Sequence, residues 1–212
     1  MKSFDLCMAP KREQDCAELA AVASISGVGG VALEVDDRLW GFARRVFRDA
    51  GIDVLRRVTI RARNAMEVSR LAAEARRRGY DIIAVEPMSD EAMRYGGRDE
   101  RIDLVVVKPG YAKLVDNSQA GLHRLGGGGV EIQVTRLLDT TNGLRTMLVA
   151  TRRAVAYNVP LVYSTCARRV HDYIPPRSLE ALATVLGAPP SYAKAFVYAN
   201  PWSIARRRMR EG

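Results

Sequence analysis

The chain has 212 residues, 48% of them hydrophobic, and its 33 basic and 24 acidic residues leave a net charge of +9. That length suits one sizeable core rather than two full domains, and no apolar run approaches the ~18 residues of a membrane span. The basic residues are nearly all arginine, whose planar fork grips phosphate oxygens in pairs, so the composition points to a polyanionic partner.

Residues 4–8 form the first predicted strand, and residues 1–5 lead straight into it without the apolar stretch of a signal peptide, which implies a cytoplasmic protein. Cys16, Leu19, Ala20, Ala23 and Ile25 recur at helical spacing until Gly27, Gly29 and Gly30 break the pattern. Residues 31–35 read as a second strand. Asp36 or Asp37 then caps a helix with Leu39, Trp40, Ala43, Val46 and Phe47 on its apolar face. Residues 52–60 are a third strand in which Arg56 and Arg57 interrupt the apolar pattern, predicting one exposed face. Asn64 caps the next helix, whose terminal Arg76, Arg77 and Arg78 suit the negative end of the helix dipole.

Residues 80–85 and 102–107 are the clearest buried strands; between them lie at most a short helix at 89–93 and a polar turn at 96–101. Residues 108–113 form a loop that places Lys108, Tyr111 and Lys113 at the C-terminal end of a strand, and a brief helix follows at 117–125. Gly126 to Gly129 precede a strand at 130–134, whereas a phosphate loop follows a strand and opens a helix, so the run is predicted to be a flexible connector. A long amphipathic helix covers 140–157. A buried strand at 159–163 ends in Ser164, Thr165, Cys166 and Ala167, after which Arg168, Arg169 and His171 emerge where ligands meet α/β folds. Pro175 and Pro176 open a helix that Gly187 closes, and two short helices at 191–198 and 201–209 finish the pattern.

Strand and helix alternate at least seven times, which gives either a (β/α) barrel or an open doubly wound sheet. Near-regular units without a linker favour the barrel, as one domain over residues 1–212. Cys7, Cys16 and Cys166 lack paired spacing, so no disulfide framework or zinc site is expected and small buried side chains are. His123 and His171 are too few for a multinuclear imidazole centre. Among strand-end carboxylates Asp5, Glu34, Glu86 and Glu131, Glu34 and Glu86 could form an inward pair, although such pairs are more often bridged to an arginine. No metal site is expected on the polypeptide. Ser164, Thr165 and Cys166 near His171 lack an orienting partner, so no catalytic residue is assigned.

Residues 158–167, Pro176-Arg177-Ser178-Leu179 and the Leu186-Gly187 stop, with strands at 80–85, 102–107 and 130–132 upstream, resemble the archaeal ribonuclease P protein component 3 family. The order and spacing of these short motifs carry the resemblance over nearly the whole chain. It implies a compact, irregular TIM-like (β/α) barrel related to the polymerase and histidinol phosphatase hydrolases, and a subunit of the ribonucleoprotein that removes the 5′ leader of precursor tRNA. Those hydrolases begin with Asp-Leu-His-x-His; here Asp5-Leu6-Cys7-Met8-Ala9 stands in that place. The resemblance further implies that the RNA is the catalyst and holds the Mg²⁺, that the polypeptide is non-catalytic and carries no cofactor, and that ribonuclease P protein component 2 pairs with it in a heterotetramer. Precursor tRNA would be met indirectly. The residues expected to contact RNA are Arg61, Arg63, Lys108, Lys113, Arg136, Arg168, Arg169 and Arg177, with Tyr111 stacking on a base. The rival readings are a metal-dependent phosphoesterase of the parent superfamily and a barrel enzyme acting on a phosphorylated metabolite.

Overall fold

The computed structural model describes residues 3–211. Seven strands lie in sequence order, β1 (Ser3–Met8), β2 (Val28–Leu33), β3 (Asp53–Ala62), β4 (Ile82–Pro87), β5 (Leu104–Val106), β6 (Gly129–Gln133) and β7 (Leu161–Ser164). Every ladder between neighbours is parallel. The crossovers carry α1 (Glu13–Ile25), α2 (Asp37–Asp49), α3 (Ala65–Arg77), α4 (Asp90–Arg98), α5 (Asn117–Gly126), α6 (Val134–Leu138) and α7 (Gly143–Tyr157). After β7 come α8 (Pro176–Val185), α9 (Pro190–Lys194), a π-helical turn (Ala195–Ala199) and α10 (Asn200–Glu211).

The sheet curls into a nearly closed barrel, and β1 and β7 meet without a full ladder. The isolated bridge Met8 to Ala167, the bond from the Ala9 N–H to the Ala167 carbonyl at 2.8 Å and that from the Cys166 N–H to the Cys7 carbonyl at 2.7 Å span the seam. Cys166 takes a left-handed conformation (φ 54°) to make this turn. Cys7 and Cys166 are joined there by a disulfide, which corrects the expectation of unpaired cysteines; their Cα atoms, 159 positions apart in sequence, lie 4.5 Å apart. Sequence spacing could not reveal the pair because barrel closure alone brings the two ends together.

Strand alternation divides the core into an inside and an outside. Phe4, Leu6, Ala32, Leu55, Ile82, Ala84, Leu104, Val106 and Val162 fill the lumen, and Ile204, Ala205 and Trp202 of α10 plug its lower end, where the strands begin. Outside, α1 and α2 pack on β1 and β2 through Cys16, Leu19, Val31, Leu33 and Phe47, while the later helices cover β3 to β7.

The helices with the plainest sequence signals start at their caps: the side chains of Asp36, Asn64 and Ser89 accept from the N–H groups of Leu39, Glu67 and Ala92 at 2.9–3.0 Å. Two glycine-rich segments differ from expectation. Gly96 and Gly97 belong to α4 rather than a turn, because a Cβ at Gly96 would lie 2.6 Å from Val85 and one at Gly97 2.5 Å from Gln119. The run from Gly126 is a close-packed junction rather than a flexible connector. Gly127 is a left-handed cap (φ 70°), and a Cβ on Gly128 would sit 2.7 Å from the Asp103 carbonyl. Residues 191–209 run through the π-helical turn into α10 rather than forming two separate short helices.

The barrel mouth, its buried ion pair and its cationic rim

β3 was expected to expose one face at Arg56 and Arg57. Instead Arg57 is 1% exposed and points into the lumen between Leu55 and Thr59. All five guanidinium donors are used. Two go to Glu131 of β6 at 2.6 Å each, as a bidentate pair, and the others reach the Leu6 carbonyl, Glu34 (3.3 Å) and the Thr59 hydroxyl (3.3 Å). Glu131 also accepts from Ser164 at 2.7 Å and from Gln133 at 2.9 Å, and Glu34 accepts from Thr59 at 2.8 Å. Burial pushes the Arg57 pKa down, but the charges and hydrogen bonds of Glu131 outweigh it, helped by Glu34 and Asp5, so the net shift is upward and the side chain stays a cation. Arg56, by contrast, points outward, its guanidinium over the rings of Trp40 (5.4 Å) and Tyr80 (4.6 Å) and paired with Asp37.

Glu34 and Glu86, which could have formed an inward pair, are each held by an arginine instead: Glu34 joins Arg57, whereas Glu86 is shared by Arg61 (3.2 Å) and Lys108 (3.4 Å). Asp5 lies on the face of β1 opposite Phe4 and Leu6, where it accepts the N–H groups of Cys7 (3.1 Å) and Thr165 (3.2 Å) and the Thr165 hydroxyl. Burial raises its pKa to about 6 against those hydrogen bonds. His123 is buried in α5 beside Gln119 (3.0 Å), and burial lowers its pKa to about 3; His171 is exposed beside Asp172.

These donors do not fit a multinuclear metal centre. Among the described residues no group of three or more His, Cys, Asp or Glu side chains gathers to hold an ion. Glu34 and Glu131 both grip the guanidinium, Cys7 is bonded to Cys166, and Ala9 has no donor at all. A side-chain cation holds the central position in the mouth. The sequence signal for it was the interruption of the β3 apolar run, read there as exposure because an arginine between hydrophobic residues more often faces water.

Arg61 lies at the C-terminal end of β3 and the other sequence-predicted contact residues follow strands, but the structure does not gather them into one site. Arg61, Lys108 and Tyr111 form one cluster around Glu86, with the Lys108 ammonium 5.9 Å from the Tyr111 ring. Arg136 is half-buried and donates to Gln133 at 3.0 Å, which ties the rim to the Glu131 network. The backbone N–H groups of Arg168 and Arg169 are held by the Asp172 carboxylate at 3.2 and 3.1 Å, leaving the Arg168 side chain exposed and that of Arg169 3.9 Å from the same carboxylate. Arg63 and Lys113 are exposed, and Lys113 lines a shallow recess of about 310 Å³ with Arg145 and Asn142. Arg177 projects from the first turn of α8, apart from the others.

Residues 2–211 match the family model described as RNase P subunit p30. Ribonuclease P protein component 3 of Aeropyrum pernix is 27% identical over 200 residues, covering 92% of this chain and 93% of that protein. A chain of a cryo-EM structure of archaeal ribonuclease P with mature tRNA shares the fold, with a TM-score of 0.79 at 19% identity, over 98% of this chain and 91% of that one.

Proposed function

The chain belongs to the RNase P subunit p30 family and is a protein subunit of ribonuclease P, and from that premise we propose that it acts as a non-catalytic, RNA-binding scaffold. The observation that carries this reading is Arg57 in the barrel mouth, where its ion pairs occupy the carboxylates that a hydrolase of this shape would direct at metal ions. Chemistry is left to the RNA and its Mg²⁺, and the protein works by charge. Exposed guanidinium groups neutralise neighbouring phosphates, so RNA helices pack closely at lower Mg²⁺, and recognition follows backbone shape rather than base sequence.

Of the expected contact residues, Arg63, Lys113, Arg168 and Arg177 are the exposed cations without a carboxylate salt bridge among the described residues. Arg61, Lys108 and Arg169 must exchange an acidic partner for a phosphate, and Arg136 must leave Gln133. Tyr111, half-buried beside Lys108, offers a ring for one base. Protein component 2 as a pairing partner, a heterotetramer built from the two, indirect engagement of precursor tRNA and a cytoplasmic location complete the proposal. No helix of the described residues is long and apolar enough to cross a membrane.

The test is a titration of the ribonuclease P RNA of the same genome with wild-type protein and with Arg168→Gln/Arg169→Gln/Arg177→Gln. Loss of two to three phosphate contacts flattens the slope of log K against log salt by roughly two to three, at ~0.9 per contact for duplexes. A slope equal to the wild type would remove these residues from the interface.

A further inference from the structure

We infer that the outward face of α2, with the groove beside it, is a second contact surface for the phosphate backbone of structured RNA, set away from the rim. The inference rests on the RNA-binding role proposed above and assigns that role to residues the rim does not include.

Arg38, Arg44, Arg45 and Arg48 are all exposed on α2, while Leu39, Ala43 and Phe47 face the barrel. At 3.6 residues per turn the four arginines fall within roughly a third of the helix circumference and span ~15 Å along its axis. Several arginines elsewhere are committed: Arg57, Arg76, Arg94 and Arg101 each hold a carboxylate at 2.6–2.7 Å. Arg38, Arg44 and Arg48 hold none among the described residues, and Arg45 rests 5.6 Å from the Phe42 ring. Of the two carboxylates on α2 itself, Asp37 shares this face but is taken by Arg56 and Arg78, and Asp49 at its edge forms no salt bridge with the four arginines among the described residues, so the face keeps a net positive charge complementary to a line of phosphates.

The groove beside this face encloses about 710 Å³ between α2 and the start of β3, floored by Trp40 and edged by Arg44 and Arg48. Its geometry is fixed from beneath, because Arg56 lies over the Trp40 and Tyr80 rings and is paired with Asp37. Of the acidic residues in the groove, Asp81 is engaged by the Arg56 N–H at 2.7 Å, and Asp53 is exposed at the lower lip. The line of cations beside the groove suits one strand of a duplex backbone laid along the helix.

The decisive variant is full-length Arg38→Gln/Arg44→Gln/Arg48→Gln, titrated against the ribonuclease P RNA of the same genome across a salt series. The expected result is a slope flatter by about two to three with an unchanged melting temperature, since these side chains pack against nothing in the core. If the rim triple variant flattens the slope and the α2 variant leaves it at the wild-type value, this inference falls while the rim reading stands. If wild-type protein binds the RNA without salt dependence, both fall. In particles purified from cells, Arg44 and Arg48 should resist phenylglyoxal until the RNA is digested; resistance that survives digestion would assign the face to a protein partner and overturn the inference.

Discussion

A single arginine decides what the barrel mouth can do. Desolvating Arg57 and Glu131 costs several kcal/mol each, and only bidentate geometry with every remaining donor satisfied offsets it. Arg57→Leu therefore leaves Glu131 buried and unpaired, and urea denaturation should show a loss of about 3–5 kcal/mol, most of it recovered in Arg57→Leu/Glu131→Leu. Equal losses in the single and double variants would mean that the guanidinium stabilises by packing alone. Asp5 is the other residue whose surroundings make a measurable claim. Its folded pKa of about 6 exceeds the ordinary 3.8, so between those values the native state keeps a proton that the unfolded chain has released. The stability from that proton is full below pH ~4 and gone above pH ~6, on the order of 2–3 kcal/mol. Asp5→Asn should escape the loss, so that thermal melts of wild type and variant diverge from pH 4 to 6 and run parallel above; a constant gap would sink the assignment. His123, with a lowered pKa of about 3, acts in the opposite sense by losing stability as pH falls below about 6.5, but it does so in both proteins and cancels from the comparison.

At the scale of elements, the junction from α5 to β6 shows glycine used for contact rather than freedom. A methyl group at Gly128 meets the backbone carbonyls of Asp103 (2.7 Å) and Ile102 (2.9 Å), neither of which can move without disturbing β5. Gly128→Ala is expected to cost about 1–3 kcal/mol by chemical denaturation. A neutral substitution would restore the picture of a loose linker. The error in the sequence reading has a physical source: four glycines in a row look the same whether they are there to bend or to let two backbones approach. What was legible were elements whose signal is local. The buried runs at 82–85 and 161–163 were read within two or three residues of their observed limits, and the caps were read at Asn64 and at Asp36 or its neighbour Asp37. Short α6 escaped notice because Val134 and Leu137 carry one turn of apolar contact, too little to set a period. The inward turn of Arg57 was also hidden, since its partners Glu34 and Glu131 lie on other strands.

For the molecule as a whole, charge is distributed by position in the barrel. Inside, Arg57 is matched by acid; on the rim, Glu86 and Asp172 hold part of the positive charge; on α2, Arg38, Arg44, Arg45 and Arg48 form no salt bridge among the described residues. In the proposed role, these surfaces differ in their readiness to meet phosphate. One feature of the architecture also governs how the protein comes to be. The seam joins β1 to β7 through Cys7, Cys166, Asp5 and Thr165, and Phe4 rests 6.3 Å from Trp202 of α10. During translation, then, β1 leaves the ribosome well before β7 and waits with one edge unpaired and the lumen open from below until residues beyond 200 have been made. A nascent polypeptide of this kind depends on being kept from other edges until α10 arrives.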